Sequence, residues 1–281
     1  MDYASIVVTA TGANDDAAAV SVAYDLARRF KASATVVIVV PQMAATVAAI
    51  SIAGGRYARS AWRDMADSRD QLIQEVHATV NAVASRHPDE APAIAVAPAA
   101  DDPWQGLERE LPLADMVVMG HSAARGEGAW TGLLADALMA GRAPVLIAGG
   151  PDYPAGAAAA VAWDGSPEAG RALRAATPLL KDASEVAILQ HVGELHETAG
   201  TAADPERAVT YLKGRGVANI SVHTVSGPRP GAALLGVARD LDAGLFVAGA
   251  FGHARLAETI FGGATRTFLH ADAGLHLFLS H

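Results

Sequence analysis

Two segments in the second half of this chain carry residue types that can hold a phosphorylated ligand. Asp164-Gly165-Ser166 follows the short apolar run Ala160-Val161-Ala162-Trp163. Gly249-x-x-Gly252, nine further residues and then Gly262-Gly263 follow the run Leu245-Phe246-Val247-Ala248. Glycines let backbone amides approach phosphate oxygens, and the start of a following helix adds a positive dipole. His253 and Arg255 offer further donors, and Asp164 can accept from a ribose hydroxyl or a base amine. With 27 glycines in 281 residues the spacing alone recurs by chance. Its weight comes from position, because the glycines begin where a buried strand ends. The plain reading of Asp164-Gly165-Ser166 is a turn with a helix N-cap, and the residues alone leave the two readings even.

Two rival constellations are weaker. Gly120-His121-Ser122-Ala123-Ala124 is close to the elbow that presents a serine nucleophile, and Asp242 and His270 follow in the right chain order. That elbow needs a helix directly after the serine. Arg125-Gly126-Glu127-Gly128 stands there instead, and no oxyanion segment rich in glycine precedes it. A serine hydrolase using Ser122 is therefore the remote alternative. His191 and His196, with Glu197 beside the latter, invite a metal. Their spacing does not fix two imidazoles on one helical face, so surface histidines are the expected account. No catalytic residue and no metal site is expected, and turnover should be slow or absent.

Composition narrows the classes further. The chain lacks cysteine, which excludes disulfides, thiolate metal sites and thiol catalysis. Its formal net charge is −9, and no basic run exceeds Arg28-Arg29, so nucleic acid and anionic membrane are poor partners. The longest apolar stretch, about 43–53, is shorter than the roughly 18 residues that cross a bilayer. The opening MDYASIVV lacks a basic segment before an apolar one, as a secretory signal would have. A cytoplasmic protein is expected. At 281 residues the chain is long for one domain and comfortable for two.

The elements that must position these residues recur twice. Ile6-Val7-Val8-Thr9 precedes a helical segment over about 15–30, with Val20, Ala23, Tyr24, Ala27 and Phe30 at helical spacing. Thr35 to Val40 is a continuous β-branched run, as in a strand buried on both faces. The second half repeats this with strands near 160–163 and 185–189 and a helix over 167–180. Ala114 to His121 matches Ala243 to Ala250, each run ending near glycine. Helices over about 133–140 and 264–270 follow, then closing strands at 144–147 and 275–279. Strands near 94–96 and 220–222, with helices near 103–110, 205–213 and 231–241, complete the halves. The first half alone carries a long helix over about 60–86, read as core or interface. Gly149 to Pro154 is a turn-rich seam, placing domains at 1–150 and 151–281. Alternating strands and helices predict two doubly wound parallel-sheet α/β domains, Rossmann-like in their winding. In such sheets ligands bind outside the carboxyl ends of the strands, at the switch point.

The segments VAWDGSPEAGRAL, LFVAGAFGHARLAETIFGGATRTFL and the closing LFLSH resemble the second repeat of tandem universal stress proteins. The resemblance covers nearly the whole second half and, more weakly, the first. It implies the adenine-nucleotide alpha-hydrolase-like version of the fold, with the two domains packed as an internal pseudo-dimer. It implies that Asp164 contacts the nucleoside, that the Val192 backbone contacts adenine, and that Gly249, Gly252 and Gly262 hold the phosphates. Gly263 stands where the family pattern has Ser or Thr, and Thr265 is the nearest substitute hydroxyl. ATP, with Mg²⁺ beside the triphosphate, is the implied cofactor, in a regulatory stress-response role. In the first half Thr11-Gly12-Ala13 replaces Asp164-Gly165-Ser166, and Ala123 and Leu133 replace Gly252 and Gly263. That half is expected not to bind. The alternative is a universal stress protein that binds no nucleotide and serves as a protein-interaction module with an unknown partner. A homodimer is compatible with either reading.

Overall fold

The computed structural model describes residues 2–39, 57–86, 94–98, 103–127, 132–194, 200–250, 263–271 and 274–281. The first half runs β1 (Ser5–Ala10), α1 (Asp16–Phe30), β2 (Ser33–Ile38), α2 (Tyr57–Ala84), β3 (Ile94–Val96) and α3 (Pro103–Glu110). It continues through β4 (Met116–Met119), α4 (His121–Arg125), α5 (Leu133–Ala135) and β5 (Val145–Ile147). The second half runs β6 (Ala158–Ala162), α6 (Pro167–Leu180), β7 (Val186–His191), α7 (Pro205–Lys213) and β8 (Ile220–Val225). It closes with α8 (Pro230–Asp240), β9 (Ala243–Gly249), α9 (Gly263–Leu269) and β10 (His276–Ser280).

The strands form one ten-stranded sheet in the order β3-β2-β1-β4-β5-β10-β9-β6-β7-β8. Every pairing inside a half is parallel. The halves meet at β5 and β10, the one antiparallel pair among the described residues, where Leu146 opposes Phe278 and Val145 opposes Leu279. All four side chains are fully buried, so the last strand of each half gives up its edge to the other. The expected parallel sheets are thus joined into a single continuous one.

Burial on both faces explains the unbroken apolar runs. One apolar cluster, on the face of α1, α2, α6 and α7, includes Val20, Val76, Leu173 and Leu212. The other, under α3, α4, α5, α8 and α9, includes Leu107, Ala124, Leu134, Leu235 and Phe268. Each half therefore sends its first two helices to one face and its later ones to the other. The switch points fall between β1 and β4 and between β6 and β9. Both clusters run through both halves. Polar ties reinforce the joint. The Tyr3 hydroxyl donates to Ala175 O at 2.6 Å, Arg125 Nε donates to Leu269 O at 2.8 Å, and Arg29 pairs with Asp182.

The long helix α2 places Val76, Val80 and Val83 in the core at the spacing read from the sequence. Two local features differ from expectation. The helix expected over 133–140 widens after Ala135 into a π-turn, Asp136–Ala140. And α4 begins directly after Gly120, where a loop was expected.

Candidate functional site

Of the second-half candidates, Asp164, Val192 and Gly249 lie at the carboxyl ends of β6, β7 and β9. After β6 the chain turns at Gly165, whose φ of +77° favours glycine. Asp164 Oδ1 accepts from the Ser166 amide at 2.8 Å, closing the turn. Ser166 Oγ accepts from the Ala169 amide at 3.1 Å and caps α6, with Pro167 next in line. The turn-and-cap reading is therefore realised. It uses one carboxylate oxygen of Asp164; the residue is exposed, and Oδ2 has no partner among the described residues. A Cβ at Gly165 would come within 2.3 Å of Ala202 O, so the short turn Gly200–Ala203 lies against this loop. Gln190 Nε2 donates to Ala203 O and ties that turn to the end of β7.

Val192 is the first residue past β7 and is 48% exposed. Before it, His191 is buried, and both ring nitrogens meet backbone groups. Nε2 lies 3.0 Å from Gly227 O, and the Gly193 amide donates to Nδ1 at 3.2 Å. The ring is thereby committed to protein partners, and no metal-binding group of three His, Asp or Glu exists among the described residues. His196 lies outside the described residues.

Gly249 ends β9 against the start of α6. A Cβ there would sit 2.7 Å from the Ala169 amide nitrogen and 2.8 Å from the Glu168 carbonyl carbon. Helix-on-strand packing alone thus demands glycine at this position. Gly252, His253, Arg255 and Gly262 lie outside the described residues. Gly263 opens α9, and a Cβ there would meet nothing within 4 Å among the described residues. Thr265 is 5% exposed, and the hydroxyl at the exposed start of α9 is instead that of Thr267, which donates to Gly263 O at 2.9 Å.

The matching edge of the first half is filled by its own carboxylates. Gly12, with φ of +82°, occupies the place of Gly165, so Thr11 matches Asp164. Asp16 accepts from the amides of Thr11 (2.7 Å) and Gly12 (2.6 Å) and from the Thr11 hydroxyl (3.1 Å). Burial pushes its carboxyl up to about 6, against those bonds, which pull it down. Asp15 reaches across the switch point, and its Oδ2 accepts from the Ser122 amide at 2.7 Å. Its carboxylate packs so closely on Gly120 that a Cβ there would lie 2.7 Å from Asp15 Cγ. The pair Asp15-Asp16 at the start of α1 is visible in the sequence, but there it reads as a cap.

The same geometry bears on Ser122. The helix that a nucleophile elbow demands is present as α4, which removes one sequence-based objection. However, no hydrogen bond joins Ser122 to Asp242 or His270 among the described residues, and both of those side chains are exposed.

No family model matches the sequence, and no curated protein matches it. Solved structures do match. A universal stress protein from Archaeoglobus fulgidus DSM 4304 aligns over 98% of this chain and 95% of its own, at 18% identity and a TM-score of 0.65. The fold is the universal stress protein fold. A functionally unknown protein from Pseudomonas aeruginosa PAO1 aligns over 99% of this chain and 92% of its own, at 14% identity and a TM-score of 0.53. The first of these alignments spans nearly all of both chains, so the likeness in fold extends over both halves. No described helix is long and apolar enough to cross a membrane.

Proposed function

We propose that the second half, residues 151–281, binds an adenine nucleotide, ATP in the first instance, and that the protein is regulatory rather than enzymatic. The observation that carries this reading is Asp164. It is an exposed carboxylate whose second oxygen has no partner among the described residues, at the switch point between β6 and β9, and exposed Val192 follows the neighbouring strand β7. Such a group is free to accept from a ribose. Gly249, Gly252, Gly262 and Gly263 stand where phosphates are held in the resembled pattern, with His253 and Arg255 as neighbouring donors and Mg²⁺ accompanying the triphosphate. The first half, residues 1–150, is the silent partner of the pseudo-dimer. Asp15 and Asp16 occupy its loop amides, and a phosphate would meet two carboxylates there. Work in the cytoplasm as part of a stress response fits this reading.

One observation favours the alternative, an interaction module without nucleotide. The turn Gly200–Ala203 packs onto Gly165, covering one side of the Asp164 loop. Calorimetric titration separates the two. ATP with Mg²⁺ is expected to bind at one equivalent, about tenfold more weakly in Asp164→Ala, and unchanged in Thr11→Ala. Gly252→Val should abolish the heat. A folded protein that takes up no ATP leaves the interaction module standing.

A further inference from the structure

His191 is a buried imidazole at the end of β7 that neither the nucleotide reading nor a metal uses, and its hydrogen bonds admit one protonation state. Gly227 O can only accept, so Nε2 carries the proton; the Gly193 amide can only donate, so Nδ1 is bare. A neutral ring with the proton on Nε2 thus ties three backbone segments together. These are the end of β7, the turn that carries Val192, and the loop between β8 and α8 at Gly227. The fit at Gly193 is close, since a Cβ there would lie 3.1 Å from His191 Cε1. Val192 lies in the chain between the two bonded residues, His191 and Gly193, and is 48% exposed.

We infer that His191 is a positioning residue for base recognition, which fixes the Val192 backbone at the edge where the nucleotide base would lie. The inference rests on the nucleotide reading and names the group that orders one wall of that site. A histidine suits the task because one rigid ring offers a donor and an acceptor on opposite sides, with few rotamers to freeze. Asparagine reproduces only the acceptor near the backbone, and glutamine only the longer reach. Leucine fills the space and offers neither.

The test combines hydrogen exchange with binding on the full chain. The Gly193 amide should be protected in the wild type, exchange about tenfold faster in His191→Leu, and recover in His191→Asn. Affinity for ATP should fall about tenfold in His191→Leu, while affinity for inorganic triphosphate, which lacks a base, stays within about twofold. Equal losses for ATP and triphosphate would mean that the ring supports the whole edge and would overturn the role. So would a Leu variant with unchanged Gly193 exchange and unchanged ATP affinity. If His191→Leu does not fold, His191→Asn against His191→Gln decides. Asn should retain Gly193 protection and most ATP affinity, and a Gln variant that does as well or better overturns the assignment. A wild type that binds neither ATP nor triphosphate overturns the nucleotide reading and base positioning with it, and Gly193 exchange then still reports whether the ring holds the turn.

Discussion

Two buried titratable groups pull the stability of this protein in opposite directions as pH falls. His276, in β10 at the joint, is 1% exposed; its Nε2 faces Asp152 O at 3.1 Å, and burial pushes the ring down to about 4. Between pH 6.5 and 4 the unfolded chain binds a proton there and the native state does not, so stability falls on acidification through that window. The full shift corresponds to about 3 kcal/mol. Asp16 has the opposite sign, since the folded carboxyl titrates at about 6 and the unfolded one at 3.8. Its contribution is present below pH 3.8 and is lost as pH rises through 6, again by about 3 kcal/mol in all. Urea titrations between pH 4 and 7 should therefore separate the two. Relative to the wild type, His276→Gln gains stability as pH falls towards 4, and Asp16→Asn loses it. Parallel profiles for the variants and the wild type would refute the assignment.

At the scale of elements, α6 is held at its start by three devices: the Asp164 turn, the Ser166 cap and the close seat of Glu168 and Ala169 on Gly249. Ser166→Ala removes one cap bond and should cost about 1 kcal/mol. Gly249→Ala forces a methyl to within 2.7–2.8 Å of the α6 backbone, which cannot yield as a side chain would. It should cost about 1–3 kcal/mol and push the helix off β9. Thermal denaturation ranks the two, and Gly249→Ala should be the worse. Gly249, read from the sequence as a phosphate ligand, thus has a packing duty that glycine spacing could not disclose. Its neighbour is an α6 backbone 80 residues earlier in the chain.

At the scale of the molecule, one sheet and two apolar clusters run through both halves. Unfolding either half would expose the β5 or β10 edge and strip both clusters. A single cooperative melting transition is expected, reported identically by tryptophan fluorescence and far-UV circular dichroism. Phe278, fully buried in β10 opposite Leu146, tests the joint. Phe278→Ala should cost about 3–5 kcal/mol and lower that one transition, whereas two separate transitions would contradict a shared core.

Local pattern was enough to determine the alternation of strand and helix in both halves. The spans of α3 and α7, the buried valines of α2 and the turn and cap at Asp164-Gly165-Ser166 were all legible, because periodicity and turn chemistry act within a few residues. Only the tertiary structure decided which backbone groups are taken by side chains distant in the sequence. Asp15 crosses 107 residues of chain to take the Ser122 amide, and His191 reaches 36 residues to Gly227. It also decided that β5 and β10 pair antiparallel, since two strands of equal apolarity carry no local mark of their partner.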